Sequence, residues 1–177
     1  MDMLLSALKK CRIFSKISEN DISNYCNEFN FKAFSYDKNE ILAIQGDKCS
    51  SLGIVLGGAI EVQKHHPSGK IISLTRLNCG DVFAEAIVFS DKSQFPNTLS
   101  SVESSKILYI TKQDIIKLCS SNNIIFSNML AILSNKILML NSKIKELSLD
   151  NLRSKICFYL YEEYKKQHSL IDQKSVV

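Results

Sequence analysis

Gly53-Ile54-Val55-Leu56-Gly57-Gly58-Ala59-Ile60-Glu61-Val62 is the stretch whose reading decides the fold. Two apolar, β-branched runs flank a glycine pair, and both glycines can take positive φ without steric cost, so the stretch reads as a hairpin. Further runs of the same kind lie on either side, giving strands expected at 40–44, 52–56, 59–63, 71–77, 98–102 and 106–110. Turn chemistry separates them at His65-His66-Pro67-Ser68-Gly69 and at Asn78-Cys79-Gly80-Asp81. Many short strands with frequent turns indicate an antiparallel sandwich or barrel and not βαβ units.

The grammar changes outside this middle. All six glycines fall between Gly46 and Gly80, and no glycine or proline follows Pro96. Leu4-Leu5, Leu8, Ile13-Phe14, Ile22 and Tyr25-Cys26 suggest short N-terminal helices, with Ser18 as an N-cap three residues before Asp21. Thr111-Lys112-Gln113-Asp114 has the same capping form and opens a helix ending near Ser120. A long helix is expected over 124–147, about 36 Å at 1.5 Å per residue. Its Phe126, Leu130, Leu133, Ile137, Leu140, Ile144 and Leu147 alternate spacings of four and three, the seam of a parallel coiled coil. Packing of that stripe on the β-domain of its own chain is the alternative. Ile125, Met129, Ile132 and Met139 form a second apolar flank, so one face can pair with another chain while the other covers the β-domain. Ser148-Leu149-Asp150 then offers a cap for a last helix to about Gln167.

Composition and charge exclude several classes. The 177 residues suit one compact domain with an appended element, and 45% hydrophobic with 23% charged residues argues against disorder. No uninterrupted apolar run approaches the roughly 18 residues of a membrane span, and the N-terminus lacks a secretory pattern, so a cytoplasmic protein without membrane contact is expected. The net charge of +4 comes entirely from Lys112 onward, with ten basic and six acidic residues there against twelve and twelve before it. Such a basic helical end is a solvated face or leads towards an acidic partner.

Six cysteines, at 11, 26, 49, 79, 119 and 157, show no CxxC spacing, and reduced, structural thiols are expected. Of the three histidines, adjacent His65 and His66 point to opposite faces of a strand and His168 lies on the last helix, so no facial metal triad can assemble. No nucleophile elbow, Walker loop or HExxH occurs, so no metal site, no catalytic residues and no enzyme activity are expected.

Taken in order, several segments resemble the sensor domain of the Crp/Fnr superfamily of bacterial transcription regulators. Asp37-Lys38-Asn39-Glu40-Ile41-Leu42 with Gln45-Gly46-Asp47, the glycine stretch quoted above, and Gly80-Asp81-Val82-Phe83-Ala84-Glu85 with Phe89 follow that family's motifs in register. Leu152-Arg153-Ser154-Lys155-Ile156 resembles the start of its hinge-side helix. The resemblance implies a β-roll of the cyclic-nucleotide-binding type (a double-stranded β-helix) with short flanking helices and a long C-terminal dimerisation helix. It implies a sensing domain over 1–122, a dimerisation helix over 123–148 and a hinge-side helix with tail over 149–177. It further implies an effector sensor that acts as a parallel homodimer and reaches DNA only through a C-terminal winged helix-turn-helix absent from this chain.

The resemblance also places a candidate pocket at Gly80, Ala84, Glu85, Phe95, Pro96, Thr98, Leu138 and Met139. Members that bind cyclic nucleotides hold the phosphate with an Arg ten residues after the Glu, followed by Ser or Thr. Here those positions are Phe95 and Pro96, the approach glycine is Ala84, and the two polar positions on the long helix are Leu138 and Met139. A buried phosphate needs charged and N–H donors, and Pro96 removes one more. No cofactor is therefore expected and no cyclic nucleotide in the usual manner; the expectation is an unidentified, less polar effector or a filled core. The alternatives are a redox or metal sensor acting through the cysteines, and a cyclic-nucleotide-binding regulator despite the missing arginine.

Overall fold

A computed structural model describes residues 2–29, 31–66, 68–149 and 151–174. Helix α1 (Asp2–Lys10), a 3-10 turn (Arg12–Phe14) and α2 (Glu19–Glu28) precede eight strands. These are β1 (Lys32–Tyr36), β2 (Ile41–Ala43), β3 (Ser51–Gly57), β4 (Ala59–His65), β5 (Ile71–Asn78), β6 (Val82–Phe83), β7 (Thr98–Ser101) and β8 (Ser105–Thr111). Helices α3 (Lys112–Ser121), α4 (Asn123–Leu147) and α5 (Leu152–Lys174) follow. The strands form two four-stranded sheets, β1-β8-β3-β6 and β2-β7-β4-β5, with every pair antiparallel. The β-roll expected from the resemblance is the architecture found.

The glycine pair does not make a hairpin. β3 belongs to one sheet and β4 to the other, so Gly57-Gly58 carries the chain around a corner between sheets. Only Gly58 has positive φ (73°), and a Cβ there would lie 2.3 Å from the Ser104 carbonyl oxygen. The close approach and the left-handed backbone together demand glycine. The true hairpin is β4–β5, closed where the His66 N–H meets the Lys70 carbonyl at 2.8 Å; Pro67 of that expected turn lies outside the described residues. β1 and β6 were not expected: β1 is exposed along most of its length and β6 spans two residues, so neither shows a clear apolar alternation.

Burial on both faces of β3 divides the interior in two. Leu52, Ile54 and Leu56 face the helices, joining Leu8, Phe14, Ile22, Leu118 and Ile125, while Val55 faces Ile60, Phe83, Leu99 and Ile107 inside the roll. β8 repeats this, with Leu108 and Ile110 on the helical side and Ile107 within. The period of two puts alternate residues into different cores. Gly53 sits where the Phe83 ring crosses β3, and a Cβ there would lie 2.0 Å from its Cζ.

The expected caps of α2 and α3 are present: Ser18 Oγ accepts from Asp21 N–H at 3.1 Å and Thr111 Oγ1 from Asp114 N–H at 3.2 Å. Asn122 Oδ1 caps α4 by accepting from Ile124 N–H at 2.8 Å. Asp150, named above as part of a cap, lies outside the described residues; Asn151 Oδ1 accepts from Ser154 N–H at 2.8 Å and caps α5. α5 runs to Lys174, beyond the expected end near Gln167, since no glycine or proline stops it.

The chain forms two compact units, Met1–Leu133 and Ser134–Val177, and α4 runs through their boundary. In the first unit Ile125, Met129 and Ile132 are buried, and Asn128 Nδ2 donates to the carbonyls of Ile13 (2.9 Å) and Ser15 (2.8 Å). Met139, expected on the same buried flank, belongs to the second unit and is exposed. Among the described residues α4 is the one helix long and apolar enough, by length and composition, to cross a bilayer, with a mean hydropathy of 1.4. That mean averages over Ser134, Asn135 and Lys136, which interrupt every continuous apolar run.

Gly53→Ala is expected to destabilise the protein by about 1–3 kcal/mol through overpacking against Phe83, read as a lower urea midpoint. Adding Phe83→Leu is expected to recover part of that loss. An unchanged midpoint for the single variant would contradict the contact.

Candidate functional site

The turn after β5 sets one end of the candidate pocket. Gly80 has φ of 94°, and a Cβ there would meet the Lys10 carbonyl oxygen at 2.9 Å, so this glycine serves packing on α1. Ala84 follows β6 with φ of 63°, in the left-handed region where alanine is strained. The backbone here has the left-handed shape that favours glycine, at the position that the resemblance gives to an approach glycine. Ala84 O accepts from the N–H groups of Ile87 (3.1 Å) and Val88 (2.9 Å), and Glu85 is drawn inside, only 3% exposed.

Phe95 and Pro96 are the residues that the resemblance sets at the position of an anion clamp. Both backbone groups of Phe95 are engaged, its N–H donating to Asp47 O at 2.9 Å and its carbonyl accepting from Gly46 N–H at 2.8 Å. Its ring packs against the core of the roll, and Pro96 is exposed. Thr98 is buried, its hydroxyl accepting from Gln45 N–H at 3.3 Å. Leu138 and Met139 are exposed on α4 in the second unit. Ala84 and Phe95 therefore join one core cluster, while Gly80, Thr98 and Pro96 serve local geometry.

Of these residues only Phe95 lines the cavity between the sheets, of about 230 Å³. Tyr36, Leu42, Lys48, Leu99 and Tyr109 share that lining. Tyr36 was not singled out from the sequence because β1 carries no clear apolar alternation. Burial pushes the Tyr109 phenol up, and its bond to Tyr36 adds to the rise, so it keeps its proton.

A second polar group lies on β4 and β5. Glu61 accepts from Gln63 Nε2 (2.7 Å) and from Ser73 Oγ (2.6 Å), and these bonds hold its carboxyl below the usual range. Arg76 pairs with Glu103 at 3.4 Å. No group of three or more His, Cys, Asp or Glu side chains is placed to hold a metal ion among the described residues. His66 Nδ1 is bound to Ser68 Oγ at 2.9 Å. All six cysteines are free thiols, and Cys11 is pushed up to about 12, by burial above all and against the lowering effect of the Ile13 and Phe14 N–H groups.

The dimer residues proposed from the sequence share α4. Phe126, Leu130 and Leu133 form one wall of an apolar groove of about 510 Å³ in the first unit, opposite Phe89, Ile115 and Ile116. Ile137, Leu140, Ile144 and Leu147 continue the seam into the second unit and are all exposed.

The family model for the cyclic nucleotide-binding domain matches residues 33–122. Solved structures share the fold. A transcriptional regulator from Thermotoga maritima is 24% identical, with 66% of this chain and 91% of that one covered and a TM-score of 0.63. The catabolite activator protein of Thermus thermophilus is 20% identical (TM-score 0.67), with 77% of this chain covered; the match spans only 63% of the activator's length. The sensor domain of the transcriptional regulator DNR from Pseudomonas aeruginosa is 19% identical, with 83% and 93% covered and a TM-score of 0.64. No curated protein sequence matches the chain.

Burial of Cys11 has a thermodynamic consequence. The thiol titrates near 9.0 when unfolded and near 12 when folded, so above pH 9 the unfolded chain gives up a proton that the native state retains. Its contribution is complete below pH 9 and is lost as pH rises towards 12. Urea midpoints are expected to fall over that window, and Cys11→Ala should make the fall shallower. An identical slope in the variant would assign the loss to other groups.

Proposed function

Since the chain belongs to the cyclic nucleotide-binding domain family, we propose that it is the effector-sensing and dimerisation part of a cytoplasmic Crp/Fnr-type transcription regulator, not an enzyme. A ligand held in the β-roll would bias the geometry of two paired α4 helices, and those helices would position DNA-binding modules supplied by a C-terminal domain. The observation that carries this reading is the double use of α4. One face is buried through Ile125, Met129 and Ile132, while Ile137 (59%), Leu140 (57%) and Ile144 (64%) leave a heptad seam in solvent. Seven apolar residues in unbroken heptad register are costly to leave wet, and a second copy supplies the matching stripe. The groove beside Phe126, Leu130 and Leu133 is further apolar surface, in the first unit.

The effector is not a cyclic nucleotide bound in the usual manner. The Phe95 N–H is spent on Asp47, the sequence has Phe95 where the resembling motif has its arginine, and Ala84 stands at the position of the approach glycine. A desolvated phosphate at that corner would lack charge-assisted donors. No cofactor is proposed. The buried Cys11 thiol, with its raised pKa, is a poor redox sensor or metal ligand at neutral pH.

Sedimentation at about 10 µM is expected to find a dimer, and Leu140→Glu with Ile144→Glu to give a folded monomer, since both positions are exposed in the single chain. A monomeric wild-type chain would overturn the assembly. Calorimetric titration with cyclic AMP and cyclic GMP should show no binding tighter than about 1 mM. Micromolar saturation by either nucleotide would overturn the proposed effector class.

A further inference from the structure

The cavity between the two sheets lies wholly in the first unit, and its chemistry is unbalanced. Tyr36 at the end of β1 and Tyr109 on β8 face each other with hydroxyl oxygens 3.0 Å apart. Each phenol carries one proton, so when one hydroxyl donates to the other, the accepting one still has its own proton to give. Neither hydroxyl has a second partner among the described residues. Lys48, Ser50 and Ser51 also line it. The one acid there, Asp47, has Oδ2 engaged by the Ile44 N–H at 2.8 Å. The tyrosine pair therefore keeps one phenol proton that no side chain among the described residues accepts.

The remaining wall is apolar, formed by Leu42, Leu99 and the Phe95 ring. The loop carrying Lys48 is held in place before any ligand arrives, through the two Phe95 backbone bonds to Gly46 and Asp47 and the bridge between Lys48 and Gln94. At about 230 Å³ the space falls below the ~300–1,000 Å³ occupied by drug-sized ligands. An acceptor group, complementary to a cation and to a phenol donor, attached to a small hydrocarbon body, satisfies all three features.

We propose that this cavity binds a small organic monocarboxylate, with its carboxylate held by the Tyr36–Tyr109 hydroxyl pair and Lys48 and its hydrocarbon body against Leu42, Leu99 and Phe95. Neutral phenols keep their protons under the carboxylate and do not repel it, which is the state that burial enforces at Tyr109. The site shares Phe95 with the phosphate corner but does not include Ala84 or Glu85, and it stands whether or not the chain dimerises.

The protein has six tyrosines and no tryptophan, so its emission, to which this pair contributes, is free of indole. Titration of the whole chain with benzoate is expected to change that emission saturably below about 10 mM. Tyr36→Phe and Tyr109→Phe keep the rings and remove the donors; each should weaken benzoate at least tenfold in calorimetry, and Lys48→Met severalfold. Benzamide, with the same shape and no charge, should bind at least tenfold more weakly than benzoate. Absence of saturation by benzoate, equal affinity for benzamide, or unchanged affinity in both phenylalanine variants would each overturn the proposal.

Discussion

The pairing of β3 with β8 is the constraint on which the rest of the first unit depends. Six register pairs join them, and side chains alternate between two separate interiors. Leu52, Ile54, Leu108 and Ile110 are turned towards the helices, Val55 and Ile107 towards the interior of the roll. A slip of one residue would exchange the two sets, so register here is fixed from both sides at once. A sheet solvated on one face would tolerate such errors far better.

This wall determines what the interior of the roll can do. With the large aliphatic residues of β3 committed to the helical side, glycine at position 53 lets Phe83 lie across the strand, and Phe83 in turn meets Tyr109 edge-on at 6.1 Å between ring centroids. Tyr36 bonds to the same tyrosine. The edge-on contact of Phe83 with Tyr109 therefore depends on one small residue on a central strand. On the other side of the wall, the helical core receives the first turns of α4 and leaves the remainder of that helix to its own apolar seam, which under the proposed function is completed by a second chain.

Much of the architecture was legible because it rests on local chemistry. Ser18, Thr111 and the turn at Asn78-Cys79-Gly80-Asp81 act within three or four residues, and each was found where its residues predict. The heptad spacing of α4 is likewise a local periodicity. The failures have a common cause. Gly57-Gly58 carries the turn signal of a hairpin, but whether a turn returns a strand to its neighbour or sends it to a second sheet depends on Ser104 and Ser105, some forty-five residues on. β1 was missed because an edge strand with an exposed face needs no alternation to hold its place.

The sequence by itself determined the class of fold, the caps of α2 and α3 and the apolar seam, since each is a property of residue type at fixed spacing. Tertiary structure alone decided which face of α4 is buried, that Ala84 keeps a left-handed backbone, and that Tyr36 and Tyr109, separated by 73 residues, share a hydrogen bond. Sheet pairing brings distant residues within hydrogen-bond reach through register, and register is set by burial of both faces of a strand at once, which no local window of residues contains.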